Sequence, residues 1–189
     1  MKTKIHLPRT VDDRDVRIET ELPVVFLAGP IKNAPKWRED IIRLFIQKNE
    51  PIFIASPTVE LPTILYIQKE REAEDCEFFL HQGSWVQYYA NKAAASGVIL
   101  FWLPGANSEK DDSEKNYGHM TMFELGKWMN EAKHNPEINL IIGTDGNFPE
   151  WKIIKRELEA GLPDLEICSS IEEMVTKTLE LVTLVKIPS

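Results

Sequence analysis

The chain has 189 residues, 43% hydrophobic and 28% charged, the length and balance of one well-buried globular domain. Its formal net charge of −8 argues against duplex nucleic acid as a partner, because that affinity comes from neutralising phosphates with Lys and Arg. No apolar run approaches the roughly 20 residues of a membrane span, so no membrane partner is expected. Met1 to His6 carries basic residues with no apolar stretch behind them, which is not a secretory signal. Cys76 and Cys168 stand far apart without metal-ligand spacing, and none of His6, His81, His119 and His134 pairs with another ligand. No metal is expected, and a reducing, cytoplasmic setting is.

Residues 1–22 are charged and almost patternless, with a weak Val16/Ile18 alternation, and read as a leader packed on the domain. From residue 23 to 189 a regular alternation predicts a single α/β domain. Val24 to Ala28 is a short apolar run stopped by Gly29-Pro30, the pattern of a strand buried on both faces. Residues 36–48 place Trp37, Ile41, Leu44, Phe45 and Lys48 at helical spacing, with Arg38, Glu39, Asp40 and Arg43 turned away. Ile52 to Ala55 is a second strand, stopped by Ser56-Pro57. Residues 58–84, broken by Pro62 and acidic from Glu70 to Glu77, read as an irregular insertion longer than an ordinary connection, containing some helix. Helix is then predicted over Trp85–Ala95, and strand over Val98–Leu103. A polar loop follows from Gly105 to Gly118. Met122, Leu125, Met129 and Ala132 mark the next helix, Ile138–Gly143 a strand, Pro149–Glu159 a helix, Leu165–Cys168 a short strand, and Ile171 to Val185 a closing helix.

Five strands alternating with helices predict a flavodoxin-like three-layer α/β/α sandwich, a five-stranded parallel sheet in the order 2-1-3-4-5. Ligands of such sheets bind beyond the carboxyl ends of the strands where the order reverses. Here that points to the loop after Ala28 and the loop after Leu103.

Three features there can carry chemistry. Gly29-Pro30-Ile31 gives a backbone free to approach a ligand beside a rigid turn residue, although the motif alone favours an ordinary strand-to-helix turn. It is neither a dinucleotide fingerprint nor a P-loop, and without a hydroxyl-rich loop a flavin site is disfavoured too. Thr121-Met122-Phe123-Glu124 places a carboxylate in the first turn of the helix after the third strand, where it can attack an anomeric carbon. The same Thr-x-x-Glu spacing is a capping box, which spacing alone favours. Trp37, Trp85, Phe101, Trp102 and Trp128 supply either flat walls for a base or plain core. Trp128 reads as core, and Trp102 is balanced between the two. His119 reads as a loop residue that could serve as an acid or base.

Phe26-Leu27-Ala28-Gly29-Pro30-Ile31 with Trp37-Arg38, Val98 to Pro104, Thr121 to Trp128 and Ile141-Ile142-Gly143 together resemble the nucleoside 2-deoxyribosyltransferase-like family over about residues 23–185. The resemblance implies N-glycosidic chemistry on a (deoxy)nucleoside or its 5′-monophosphate, with Glu124 as nucleophile and no cofactor. It implies that Gly29, Pro30, Ile31, Trp37, Trp102, His119 and Thr121 line the substrate site. It also implies a homodimer or larger homo-oligomer. Two positions depart from the family pattern: Gly97 stands where an Asp that assists the leaving base is usual, and Gly105 where an Arg is common. Glu60, Asp75 and His119 are the candidates to replace that acid. The alternative is a non-catalytic nucleotide-binding or signalling module with Glu124 as a cap.

Overall fold

A computed structural model describes residues 3–6, 20–57, 75–107 and 117–185. In chain order the elements are β1 (Lys4–His6), β2 (Val24–Ala28), α1 (Trp37–Lys48), β3 (Phe53–Ala55), α2 (Asp75–Ser96), β4 (Gly97–Leu103), α3 (His119–His134), β5 (Leu140–Thr144), α4 (Trp151–Gly161), β6 (Ile167–Cys168) and α5 (Ile171–Val185). Among the described residues, six strands form one sheet in the order β1-β3-β2-β4-β5-β6, and every pairing is parallel. This is an α/β fold with a parallel sheet flanked by five helices, consistent with a flavodoxin-like arrangement.

Strand periodicity sorts the core into two layers. Along β2, Val24, Phe26 and Ala28 face one side, while Val25 and Leu27 face the other. Along β4, Ile99, Phe101 and Leu103 join the first set, and Val98, Leu100 and Trp102 the second. Helices α2, α3 and α4 cover the first face, with Tyr89, Leu125, Trp128 and Leu158 packed inward. Helices α1 and α5 cover the second, through Trp37, Ile41, Phe45, Met174 and Val182. Both faces of the central strands are dry, which is why they read as unbroken apolar runs.

Three expectations need correction. The sheet has six strands, not five in the order 2-1-3-4-5, because the leader supplies an edge strand. Lys4, Ile5 and His6 pair with Phe53, Ile54 and Ala55, and Thr3 Oγ1 donates to Glu50 O at 2.7 Å. Three residues against a single neighbour leave too little periodicity to read. The remaining strands stand relative to one another as β3-β2-β4-β5-β6. Helix α2 begins at Asp75, ten residues before Trp85, and so takes in the last part of the segment read as an irregular insertion. No proline interrupts the chain after Pro62 until Pro104, so nothing there breaks the helix. Residues 58–74, like Val16 and Ile18, lie outside the described residues. Finally, Arg38 does not face away: it is 6% exposed and sits in line with Ile42 and Phe45 on the buried side of α1.

Among the described residues, no helix is long and apolar enough to cross a membrane.

Candidate active site

The crevice lies at the carboxyl edge of the sheet, between the turn that leaves β2 and the segment that leaves β4. From β2 the chain crosses to β3 on one side, and from β4 to β5 on the other, so the order reverses between two neighbouring strands. Helix α1 follows on one face and α3 on the opposite face, and their first turns flank the gap. Two hydrogen bonds tie the loops across it: Asn107 N donates to Asn33 O at 2.8 Å, and Asn107 Nδ2 to Ala34 O at 3.0 Å.

Gly29 begins the first loop with φ +142°, a conformation L side chains rarely adopt. A Cβ there would lie 2.4 Å from Trp102 O and 2.7 Å from Trp37 Cζ2. The Gly29→Ala variant is therefore expected to lose about 1–3 kcal/mol of stability, read as a lower denaturant midpoint.

The turn's carbonyls point inward. Arg38 Nη2 donates to Gly29 O at 2.6 Å and Nη1 to Pro30 O at 2.8 Å. Trp37 Nε1 also donates to Pro30 O, at 3.1 Å, and the Arg38 guanidinium lies 4.1 Å from the Trp37 ring centroid. Burial pulls Arg38 down to about 9, with Glu124 and then Tyr117 opposing that fall, so it stays protonated at neutral pH. Its Nε is buried and has no hydrogen-bond partner among the described residues.

On the other side, Tyr117 closes the base of the β4–α3 connection. Its hydroxyl reaches Pro104 O at 3.0 Å and Gly105 O at 3.2 Å, and its ring packs on Phe148. Burial, and then the charge of Asp145, push the phenol upward. Gly105 N donates to both carboxylate oxygens of Asp145, at 3.0 and 3.1 Å. A side chain at Gly105 would strike Asn147 Cβ at 2.7 Å, so this loop has no room for an arginine at that position.

Helix α3 then starts at Gly118, whose φ of +73° turns the chain into its first residue, His119. This removes the capping box. Gly118 is the N-cap, its carbonyl accepts from Met122 N at 2.8 Å, and no side chain caps the helix. Thr121 is the third helical residue and is buried. Glu124 is the sixth, in the second turn rather than the first. Thr121, Leu125 and Trp128 form the inward stripe, with half-buried Glu124 on its flank. Burial pushes the Glu124 carboxyl above its ordinary value, while Arg38 and then Lys127 pull it back.

The expected site residues separate into two groups. Gly29, Pro30, Trp37 and Trp102 come together around the turn, but Trp37 and Trp102 lie beneath it in the core, 2% and 6% exposed. They shape the turn from behind. Trp128 and Phe101 are core as well, and Trp85 packs on Tyr89. Ile31 is 48% exposed at the loop surface. His119 is exposed and stands five residues before Glu124, about 140° away around the helix. No protein-family model matches this sequence, and no curated protein is significantly similar to it.

Sequence reasoning passed over Arg38, Tyr117 and Asp145. Arg38 had a signal in the spacing 38, 42, 45, which matches one helical face, but its charge hides it. Tyr117 and Asp145 lie in polar loops where only the fold shows what they touch. Gly97, where the acid of the resemblance would stand, opens β4 opposite Val24 at the start of β2. Seven residues of strand, about 20 Å, separate it from the carboxyl edge. An acid at that position would serve the wrong end of the sheet. Of the other candidate acids, Glu60 lies outside the described residues, and Asp75 begins α2.

Proposed function

We propose that this protein cleaves or transfers at the N-glycosidic bond of a nucleoside or nucleoside 5′-monophosphate, with Glu124 as nucleophile. One observation carries the reading: a half-buried carboxylate, free of any capping role, flanks the crevice at the point where the strand order reverses, within the field of a buried arginine. The resemblance over residues 23–185, including its nucleoside deoxyribosyltransferase-like form of the flavodoxin-like fold, supports the same reading.

The chemistry balances without a cofactor. A Glu124 oxygen forms a bond to C1′ as the C1′–N bond breaks, and the departing base takes the electron pair and a proton from solvent. Water or the nitrogen of a second base then attacks C1′, loses a proton, and releases Glu124 as carboxylate. Attack requires the ionised carboxylate, so turnover falls on the acid side as Glu124 takes up its proton.

The test is base release from a panel of nucleosides and 5′-monophosphates, with and without a free acceptor base, followed by chromatography. Release is expected from the parent and lost in Glu124→Gln, and acceptor dependence identifies a transferase. Binding without release by the folded parent would overturn the enzymatic reading in favour of a nucleotide-binding module.

A further inference from the structure

Buried polar atoms without partners are rare in folded proteins and call for a physical account. Among the side chains of the described residues there are two, Asn33 Nδ2 and Arg38 Nε, and both belong to the segment joining β2 to the first turn of α1. Arg38 is the stronger case, because a buried cation is costly unless its charge is used. Its Nη groups are committed to Gly29 O and Pro30 O, and its flat face is covered by Trp37. Two carbonyl dipoles soften the cost without cancelling the charge. The negative charge that acts most strongly on Arg38 is that of Glu124, which belongs to a different helix on the opposite face of the sheet.

We propose that Arg38 is the positioning residue of this site: it clamps the Gly29-Pro30 turn by its carbonyls and supplies the fixed positive charge against which Glu124 works. The meaning of the pair rests on Glu124 being the nucleophile, but the coupling does not depend on it.

The arrangement separates two jobs that an ordinary salt bridge combines. A carboxylate held by a bidentate arginine is ionised, but its lone pairs are occupied. Here both Nη groups donate to the turn instead, so Arg38 favours the charged carboxylate through its field and leaves the oxygens open for attack. Lys127, one turn along α3, adds a weaker pull on Glu124 and lies over Trp128 at 4.8 Å. Tyr117, on the β4–α3 segment and itself under the charge of Asp145, also acts on Arg38. No other titratable group acts on Glu124 or Arg38 among the described residues.

Nuclear magnetic resonance tests this without substrate. In the intact 189-residue chain, the Glu124 side-chain carboxyl carbon, assigned by its loss in Glu124→Gln, reports ionisation. The Arg38 Nε–H, shielded from solvent, reports the guanidinium. The Arg38 resonance is expected to move with the same midpoint as the Glu124 carbon, and that step is expected to vanish in Glu124→Gln. Arg38→Met is expected to shift the Glu124 midpoint upward, and Arg38→Lys to restore part of the shift. An Arg38 signal that stays flat through the Glu124 titration overturns the proposal, and this readout needs no variant at the buried arginine. An unchanged Glu124 midpoint in folded Arg38→Met overturns it too. Linked titrations in a protein that releases no base would uphold the Arg38 assignment and sink the glycosidic reading alone.

Discussion

Glu124→Gln is expected to abolish base release, by about 10³-fold or more, while making the fold more stable at neutral pH. The two halves have one cause. Glu124 is half-buried and holds its proton to higher pH in the folded chain than the ordinary value of 4.5, chiefly because burial penalises the charge. Between 4.5 and that raised value the native state binds more protons than the unfolded state, so stability falls as pH rises through the window. Above the window the full cost of the buried charge is present. Glutamine has the same shape without the charge, so it removes that cost. The stability gain should be present at pH 7 and should shrink to nothing below 4.5, where Glu124 itself is neutral. Denaturant midpoints of both proteins at acid and neutral pH measure it. A carboxylate whose charge the fold uses, in an ion pair or at a helix terminus, behaves the opposite way: neutralising it lowers stability at neutral pH. A Glu124→Gln protein less stable than its parent at neutral pH would therefore return the residue to a structural role.

That contrast also marks where the sequence is legible and where it stops. The central strands are readable because both their faces are dry, so Val24–Ala28 and Val98–Leu103 are apolar without interruption, and their glycine and proline stops place the crevice. β1 is not readable, since Lys4-Ile5-His6 takes its strand character from pairing with β3 and not from its own pattern. The start of α3 is misread for a different reason. Thr121 and Glu124 satisfy a local rule for a helix cap, but the helix had already begun at Gly118, where a backbone with positive φ fits closely against the Phe148 ring. Tertiary packing decided that boundary. Arg38 shows the same limit in side-chain form. A charged residue counts as outward in any hydropathy pattern, and only the inward carbonyls of Gly29 and Pro30 reveal why this one is buried. The residues most concerned with Glu124 are thus the ones a linear reading handles worst, because function requires them to break the local rules.

Gly97→Asp, which restores the acid of the resemblance, is expected to unfold the protein and not to activate it. Gly97 is buried at the first position of β4, directly after the last residue of α2, and its carbonyl accepts from Asn139 Nδ2 at 3.0 Å. A Cβ there would stand 1.9 Å from Val24 O and 2.6 Å from Val24 N, both backbone atoms of the paired strand. Neither can move aside without opening the ladder between β2 and β4, the centre of the sheet. Overpacking alone costs about 1–3 kcal/mol, and an unpaired buried carboxylate adds about 3–5 kcal/mol. Against a total stability of about 5–15 kcal/mol for an ordinary domain, little margin remains. Gly97→Ala isolates the steric part and should sit between parent and Gly97→Asp in denaturant midpoint. The opposite result is equally informative: a folded Gly97→Asp protein with faster base release would mean that position 97 reaches the reacting sugar. The crevice at the carboxyl edge would then be the wrong place to look. With about 20 Å of strand between Gly97 and that edge, the geometry argues for unfolding.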